Sequence, residues 1–256
     1  MITPYPDIFF GNPYIDHVFK TNKKRKISFF LRKYIQQFQI PLITPNYTSY
    51  NITTDQDEIP VKHIINLMCD RAHVMYSLML KPEIYLTKKE IQTGKLYDNQ
   101  ICIQTAGSGA KYYMRNKDWY PERFQEVVDR LKDKYTILQI GSGKDFPLKG
   151  VVDLREKTTI RETAALLYHS RFFVGLVGFL MHLARSVDCR SVILYGGRET
   201  PEQSGYPENK NLYSSVSCSP CWYWNFCPNN RLCMEKIASS DVSLAITQLE
   251  NDFNRR

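Results

Sequence analysis

The chain has 256 residues and a mass of 30.0 kDa, enough for one large domain or two modest ones. Hydrophobic residues at 43% and charged residues at 23% exclude a wholly disordered, collagen-like or coiled-coil chain, and no run reaches the roughly 18 apolar residues of a membrane span. A net charge of +8 and a pI near 9.0 permit nucleic acid, an anionic membrane or a phosphate-bearing ligand as partner, without choosing among them.

The first residues carry no basic region followed by an apolar block, so no signal peptide is expected and the chain reads as cytoplasmic. The densest basic run holds Lys20, Lys23, Lys24, Arg25 and Lys26. It reads either as a solvated loop or as a patch for peripheral contact with an anionic lipid or glycolipid surface. A helix is predicted over 26–38, a short strand over 39–44, a polar loop over 46–58 and a helix over 61–74, where Ile64, Leu67 and Met68 follow helical spacing. Thr87 and Glu90 have capping-box form and start a short helix.

From residue 99 the pattern becomes regular. Strands are predicted over 100–105, 136–140, 171–174 and 190–195. Between and after them fall helices over 121–134, with a stripe of Phe124, Val127, Val128 and Leu131, over 159–169 with Thr159 as cap, over 178–187 and over 240–253. This alternation implies βαβ units and a parallel sheet. Ligands of such sheets bind beyond the carboxyl ends of the strands, and three of these ends carry glycine: Gly107, Gly141 and Gly196.

Three motifs could carry chemistry. The first runs from Thr105 through Gly107, Ser108 and Gly109 to Lys111 and Lys117, ahead of the helix that Pro121 opens. Backbone amides in such a turn can bind a diphosphate with a lysine as point charge; an ordinary βα turn has the same form. The second is the glycine-bearing segment 173–184, in which His182 lies one turn into a helix that starts near Gly178. A histidine there is either a satisfied core residue or a ligand-facing one. The third is Cys218, Cys221, Cys227 and Cys233, four cysteines within 16 residues. Without a secretion signal, such a cluster points to a structural four-thiolate site for zinc or iron before it points to disulfides; free thiols are the other reading. Cys69, Cys102 and Cys189 are isolated and read as inert core thiols.

Several of these segments together resemble glycosyltransferase family nine, the heptosyltransferases: 119–124 through 139–142, 174–184, 192–197, the cysteine segment 218–222 with Cys233 and Met234, and more weakly Asn12–Asp16. The resemblance covers most of residues 10–250 and is specific from about residue 100 onward. It implies a GT-B-like α/β architecture: a Rossmann-type parallel sheet with helices on both faces over 96–256, carrying the cysteine loop at 212–236, preceded by an incomplete acceptor-side α/β portion over 1–95. It also implies transfer of a heptose-like sugar from a nucleotide donor, ADP-heptose or similar, to a glycolipid or protein acceptor, with no metal needed for the transfer itself. Donor binding would fall to Thr105, Gly107, Ser108, Lys117, Gly141, Ser142, Gly178, Met181 and His182.

Two departures accompany it. The family's aspartate–threonine–glycine helix start is Val177, Gly178 and Phe179 here, and the family's first strand with its base-bearing glycine–aspartate turn is absent. The catalytic base is therefore unassigned; Asp16, His17 and His63 lack motif support. Two other readings follow. One is a non-catalytic donor-binding remnant or partner subunit, for which an incomplete first half would favour self-association into a homo-oligomer. The other is a nucleic-acid binder, disfavoured because Arg231 is the one Lys or Arg between Cys218 and Cys233.

Overall fold

The computed structural model describes residues 1–21, 29–39, 47–76 and 81–254. The chain opens with two very short strands, β1 (Ile2–Thr3) and β2 (Phe19–Lys20), paired in parallel. Helix α1 (Phe29–Gln37) follows, then the antiparallel pair β3 (Tyr50–Asn51) and β4 (Gln56–Asp57), then α2 (Ile64–Arg71) and α3 (Lys88–Gly94). Most of the basic run at 20–26 and of the strand expected at 39–44 lies outside the described residues.

The helix expected over 61–74 is shorter because both ends are fixed. His63 caps it, its Nδ1 accepting the Ile65 N–H at 3.2 Å, and His73 adopts a left-handed φ of 54°. At α3 the Thr87–Glu90 capping box forms in both directions. Gly94 ends α3 where it crosses the later helix α5; a Cβ there would strike the Ala165 backbone carbonyl, so only glycine permits this approach.

The rest of the chain is a regular α/β unit. Its elements are β5 (Gln100–Ile103), α4 (Pro121–Leu131), β6 (Thr136–Gln139), β7 (Val152–Asp153), α5 (Ile160–His169), β8 (Phe173–Leu176), α6 (Phe179–Ser186), β9 (Ser191–Gly196), α7 (Pro201–Ser204), β10 (Lys210–Tyr213), α8 (Leu232–Glu235) and α9 (Ser239–Asn254). The six strands form one parallel sheet in the order β10-β9-β8-β5-β6-β7. The strand expected at 171–174 begins two residues later. Arg171 is exposed, and the fully buried run Phe173–Leu176 is what the sheet accepts. The edge strands β7 and β10 escape a periodicity reading because they are short and only half-buried.

Both faces of the sheet are covered. On one, Phe124, Val127, Val128 and Leu131 of α4 pack with Val242, Ile246 and Leu249 of α9 over Ile101, Ile103 and Val174. On the other, Ala164 and Leu167 of α5 and Leu180, Met181 and Ala184 of α6 cover Cys102, Leu138 and Ile193. Cys102 and Cys189 are buried thiols, and burial pushes Cys102 up to about 12. Cys69, expected in the core, is only partly buried near the end of α2. Among the described residues no helix is long and apolar enough to cross a membrane.

Candidate functional site

Counted from β5, the strand order is the doubly wound 3-2-1-4-5-6, which reverses between β5 and β8. Chains leaving two adjacent strands in opposite directions leave a crevice at that point. The structure has a cavity of about 600 Å³ there. Its wall comes from the turns after β5 (Gly107, Gly109), β6 (Gly141, Ser142) and β8 (Val177, Gly178, Phe179), from Lys117, and from Tyr5 and Ile8 of the N-terminal region. A Cβ added at Gly107 or Gly178 would meet nothing within 4 Å, so both glycines look into open space. Helix α6 begins at Gly178, which has no side chain to cap its first amides.

Five of the nine expected donor residues line this cavity: Gly107, Lys117, Gly141, Ser142 and Gly178. The other four turn elsewhere. Thr105 is buried and donates its hydroxyl to the Phe146 carbonyl at 2.9 Å. Ser108 spends both its N–H and its hydroxyl on Asp145. Met181 is a core residue beside the Tyr195 hydroxyl, 3.5 Å from its sulfur. His182 lies one turn past the cavity wall, with Nδ1 2.7 Å from the Tyr206 hydroxyl. Burial pushes His182 down to about 4, against a smaller opposing pull from Glu199. At neutral pH it is an uncharged imidazole and adds no positive charge for a diphosphate.

Two carboxylates that the sequence reading did not single out, Asp118 and Asp145, also line the cavity. Asp145 accepts the amides of Ser108 at 3.3 Å and Ser142 at 3.0 Å, and Asp118 accepts that of Gly107 at 3.5 Å. Gly141 has φ +127°, and a Cβ there would collide with the Asp145 carboxylate, so glycine is what lets the turn close on it. The glycine-turn amides thus already hold anions supplied by the chain. Burial raises both carboxyl groups above the usual range, against those hydrogen bonds. The spacing of Asp118 and Asp145 from the glycine turns was visible; the amides they fill were not.

Two lysines line the cavity: Lys111, whose Nζ lies 4.7 Å from the Tyr112 ring centre, and Lys117, 20% exposed, its Nζ 2.6 Å from Glu199 Oε1. Burial lowers the pKa of Lys117, and Glu199 opposes that. Glu199 is buried, which alone would raise it, but Lys117 and Arg198 outweigh burial and hold it at about 2. Arg198 continues the network to Asp57 of β4 at 2.7 Å. Of the bases considered, His63 is committed to structure, with Nδ1 at the α2 cap and Nε2 2.9 Å from the Gly205 carbonyl. Asp16 and His17 do not line the cavity.

The four clustered cysteines lie beside this network. Amide N–H groups point at their sulfurs: Arg231 at Cys227 (3.2 Å), Tyr223 at Cys221, and Gly197 and Met234 at Cys233. That donor set and its amide support suit thiolates bound to zinc or iron. The thiols themselves do not converge: among the described residues no three His, Cys, Asp or Glu come together as a metal-holding group. Burial pushes the Cys221 and Cys233 thiols up.

A six-stranded doubly wound sheet with a cavity at its switch point defines a Rossmann-type ligand-binding unit. The model of glycosyltransferase family 9 (heptosyltransferase) matches residues 82–224, more than half of the sequence, and the chain belongs to that family. No curated protein matches the sequence. Among solved structures, the dodecameric iron-containing heptosyltransferase TibC, in complex with ADP-D-beta-D-heptose, is 19% identical with a TM-score of 0.60. TibC comes from enterotoxigenic E. coli H10407. The match covers 76% of this chain and 55% of that one. A family 9 glycosyl transferase from Veillonella parvula DSM 2008 is 15% identical over 94% of this chain and 84% of that one, TM-score 0.62. E. coli ADP-heptose lps heptosyltransferase II is 16% identical over 75% and 61%, TM-score 0.56. At these identities the likeness is one of fold. The chain spans about half the length of the TibC structures it matches.

Proposed function

We propose that the cavity at the β5/β8 switch point binds a nucleotide-activated sugar, ADP-heptose or a close relative, and that the chain serves transfer of that sugar to a hydroxyl of a glycolipid or protein. The observation that carries this reading is the placement of Lys117, Gly107, Gly141 and Gly178 around one 600 Å³ cavity in a chain of glycosyltransferase family 9. Because Asp118 and Asp145 hold the amides of the glycine turns, the diphosphate falls to Lys117 and to the uncapped start of α6. The carboxylates are left to accept hydroxyl groups of sugar or ribose. In this division residues 96–256 carry the donor and residues 1–95 belong to the acceptor side. The protein acts in the cytoplasm, where nucleotide sugars are supplied.

Calorimetric titration with ADP and ADP-heptose tests it. Lys117→Ala should weaken binding by about 1.5–3 kcal/mol, the worth of a charged hydrogen bond. Equal affinity in the variant removes the diphosphate from Lys117, and no binding by the parent chain removes the donor reading. The substitution of Val177 and Phe179 in the α6 start favours a second reading, a donor-binding subunit without turnover. Steady product formation by the purified chain excludes it.

We further infer that Cys218, Cys221, Cys227 and Cys233 would hold zinc or iron as a structural ion. It would pin a loop whose backbone carbonyls at Tyr223 and Phe226 receive the Asn116 side-chain amide. Elemental analysis of purified protein tests this; fewer than about half an equivalent of either metal, with no loss of thermal stability on chelation, discards it.

A further inference from the structure

We propose that Glu199 is the positioning residue of the cavity lysine: it holds Lys117 Nζ at the rim as a fixed ammonium while touching no ligand itself. The proposal rests on the reading that the cavity takes a diphosphate-bearing donor. Lys117 lines the cavity and Glu199 does not. A single oxygen, Glu199 Oε1, accepts from Lys117 Nζ at 2.6 Å and from Arg198 Nη1 at 2.9 Å. Arg198 is itself locked on every side. Its Nη2 meets Asp57 Oδ2 at 2.7 Å, its Nε meets the Tyr223 carbonyl at 2.9 Å, and its guanidinium lies 4.6 Å from the Trp222 ring centre. Arg198, Glu199 and Asp57 are all nearly inaccessible, with side-chain exposures of 1–3%.

Such an arrangement has one open end. A lysine buried alone gives up its proton rather than its hydration. A carboxylate at hydrogen-bond distance reverses that choice, and a carboxylate with no freedom to move also fixes where the ammonium stands. An ammonium has three N–H donors; Glu199 uses one, and the cavity side is open to the others. The remaining groups around the pair are accounted for. From β9, α6, α7 and residue 47 it faces the hydroxyls of Tyr195, Ser204 and Tyr47 and the neutral ring of His182; Arg198 and Asp57 act on Lys117 in opposite directions. Glu199 is thus the main group that opposes burial in keeping Lys117 charged.

The test compares Glu199→Gln, which keeps shape and removes charge, with Glu199→Asp, which keeps charge one methylene further away. Two readouts are taken: the titration midpoint of Lys117, by pH-dependent amine labelling and mass spectrometry, and ADP affinity near pH 6 and near pH 9. Glu199→Gln should lower the midpoint by about one pH unit or more, a tenfold change in charged fraction on the alkaline limb. ADP affinity should fall roughly tenfold near pH 9 and by less than about threefold near pH 6. Glu199→Asp should fall between parent and Glu199→Gln, and it carries the test alone if the amide does not fold. An unmoved midpoint overturns the proposal, as does an equal loss of affinity at both pH values, the signature of a merely structural role. If the parent chain binds no ADP while the midpoint still drops, the donor reading fails and the Glu199–Lys117 assignment stands.

Discussion

Between Ile101 and Leu249 the buried hydrophobic residues form two clusters, one on each face of the sheet. Among the described residues before Lys95, only Ile35 and Ile64 reach comparable burial. The N-terminal region adds Ile65, Ile84 and Leu86 at the margin of one cluster, and its buried ties to the sheet unit are polar anchors. Arg161 donates to the Glu90 carboxylate and to the carbonyls of Asp7 and Tyr85. Arg198 reaches Asp57, His63 reaches the Gly205 carbonyl, and Gln203 reaches that of Pro60. Apolar burial is tolerant of small shifts and proportional to area, whereas a buried ion pair is costly to break and specific in geometry. The two regions should therefore fail in different ways, and the N-terminal region that contributes Tyr5 and Ile8 to the cavity wall should be the one that polar substitutions release.

Substitutions can break that contrast. Phe124→Ala opens a void in the core between α4 and the sheet and should cost about 3–5 kcal/mol, read as a lower melting temperature with the docking of the N-terminal region unchanged. Arg198→Ala should cost a similar amount, about 3–5 kcal/mol, because Asp57 stays buried with only the Trp224 indole N–H for it, while Glu199 keeps Lys117. Its effect should appear first as faster hydrogen exchange and proteolysis at residues 47–63, ahead of the sheet. Arg161→Ala should release residues 1–10 and 85–90 at about 2 kcal/mol, the range for charged hydrogen bonds. Uniform, simultaneous loss of protection across the chain in either arginine variant would show that the two regions form one cooperative unit. Thr87→Ala removes the α3 cap and should cost about 1 kcal/mol.

The same contrast explains what the sequence made legible. Amphipathic stripes such as Phe124–Leu131 and caps such as Thr87 and Thr159 are local, and the helices they mark appear within a few residues of expectation. The parallel sheet follows from strands alternating with helices, and the glycine turns after β5 and β6 do meet at one cavity. What is not local was not legible. Glu199 and Asp57 lie 82 and 60 residues from Lys117 in sequence, and nothing in their neighbours announces the network they form with it. Asp145 reads as one more polar loop residue until its carboxylate is seen filling the amides of Ser108 and Ser142. His182 shows the converse: its place near a helix start suggested a ligand, yet its partner Tyr206 lies 24 residues away and turns the ring from the cavity.

Acid should act on the two regions through different groups. Burial holds His182 at about 4 in the folded chain against an ordinary 6.5, so its stabilising contribution is present above pH 6.5 and is lost as pH falls through 4. The bidentate contact with Arg161 holds Glu90 at about 2 against an ordinary 4.5, so that contribution is intact above pH 4.5 and is lost as pH falls through 2. Asp118 and Asp145, raised by burial, act in the opposite direction and gain from acid. Between pH 6.5 and 4.5 stability should therefore be lost through His182 in the sheet region and through His63, which burial also lowers, at its anchor to the Gly205 carbonyl, while the Arg161–Glu90 anchor is untouched. Denaturant midpoints across this window should slope downward in the parent chain, slope less in His182→Gln, where His63 still contributes, and keep the parent slope in Glu90→Gln. A slope unchanged in His182→Gln would assign it to another group and place the first acid-sensitive contact outside the α6–Tyr206 pair.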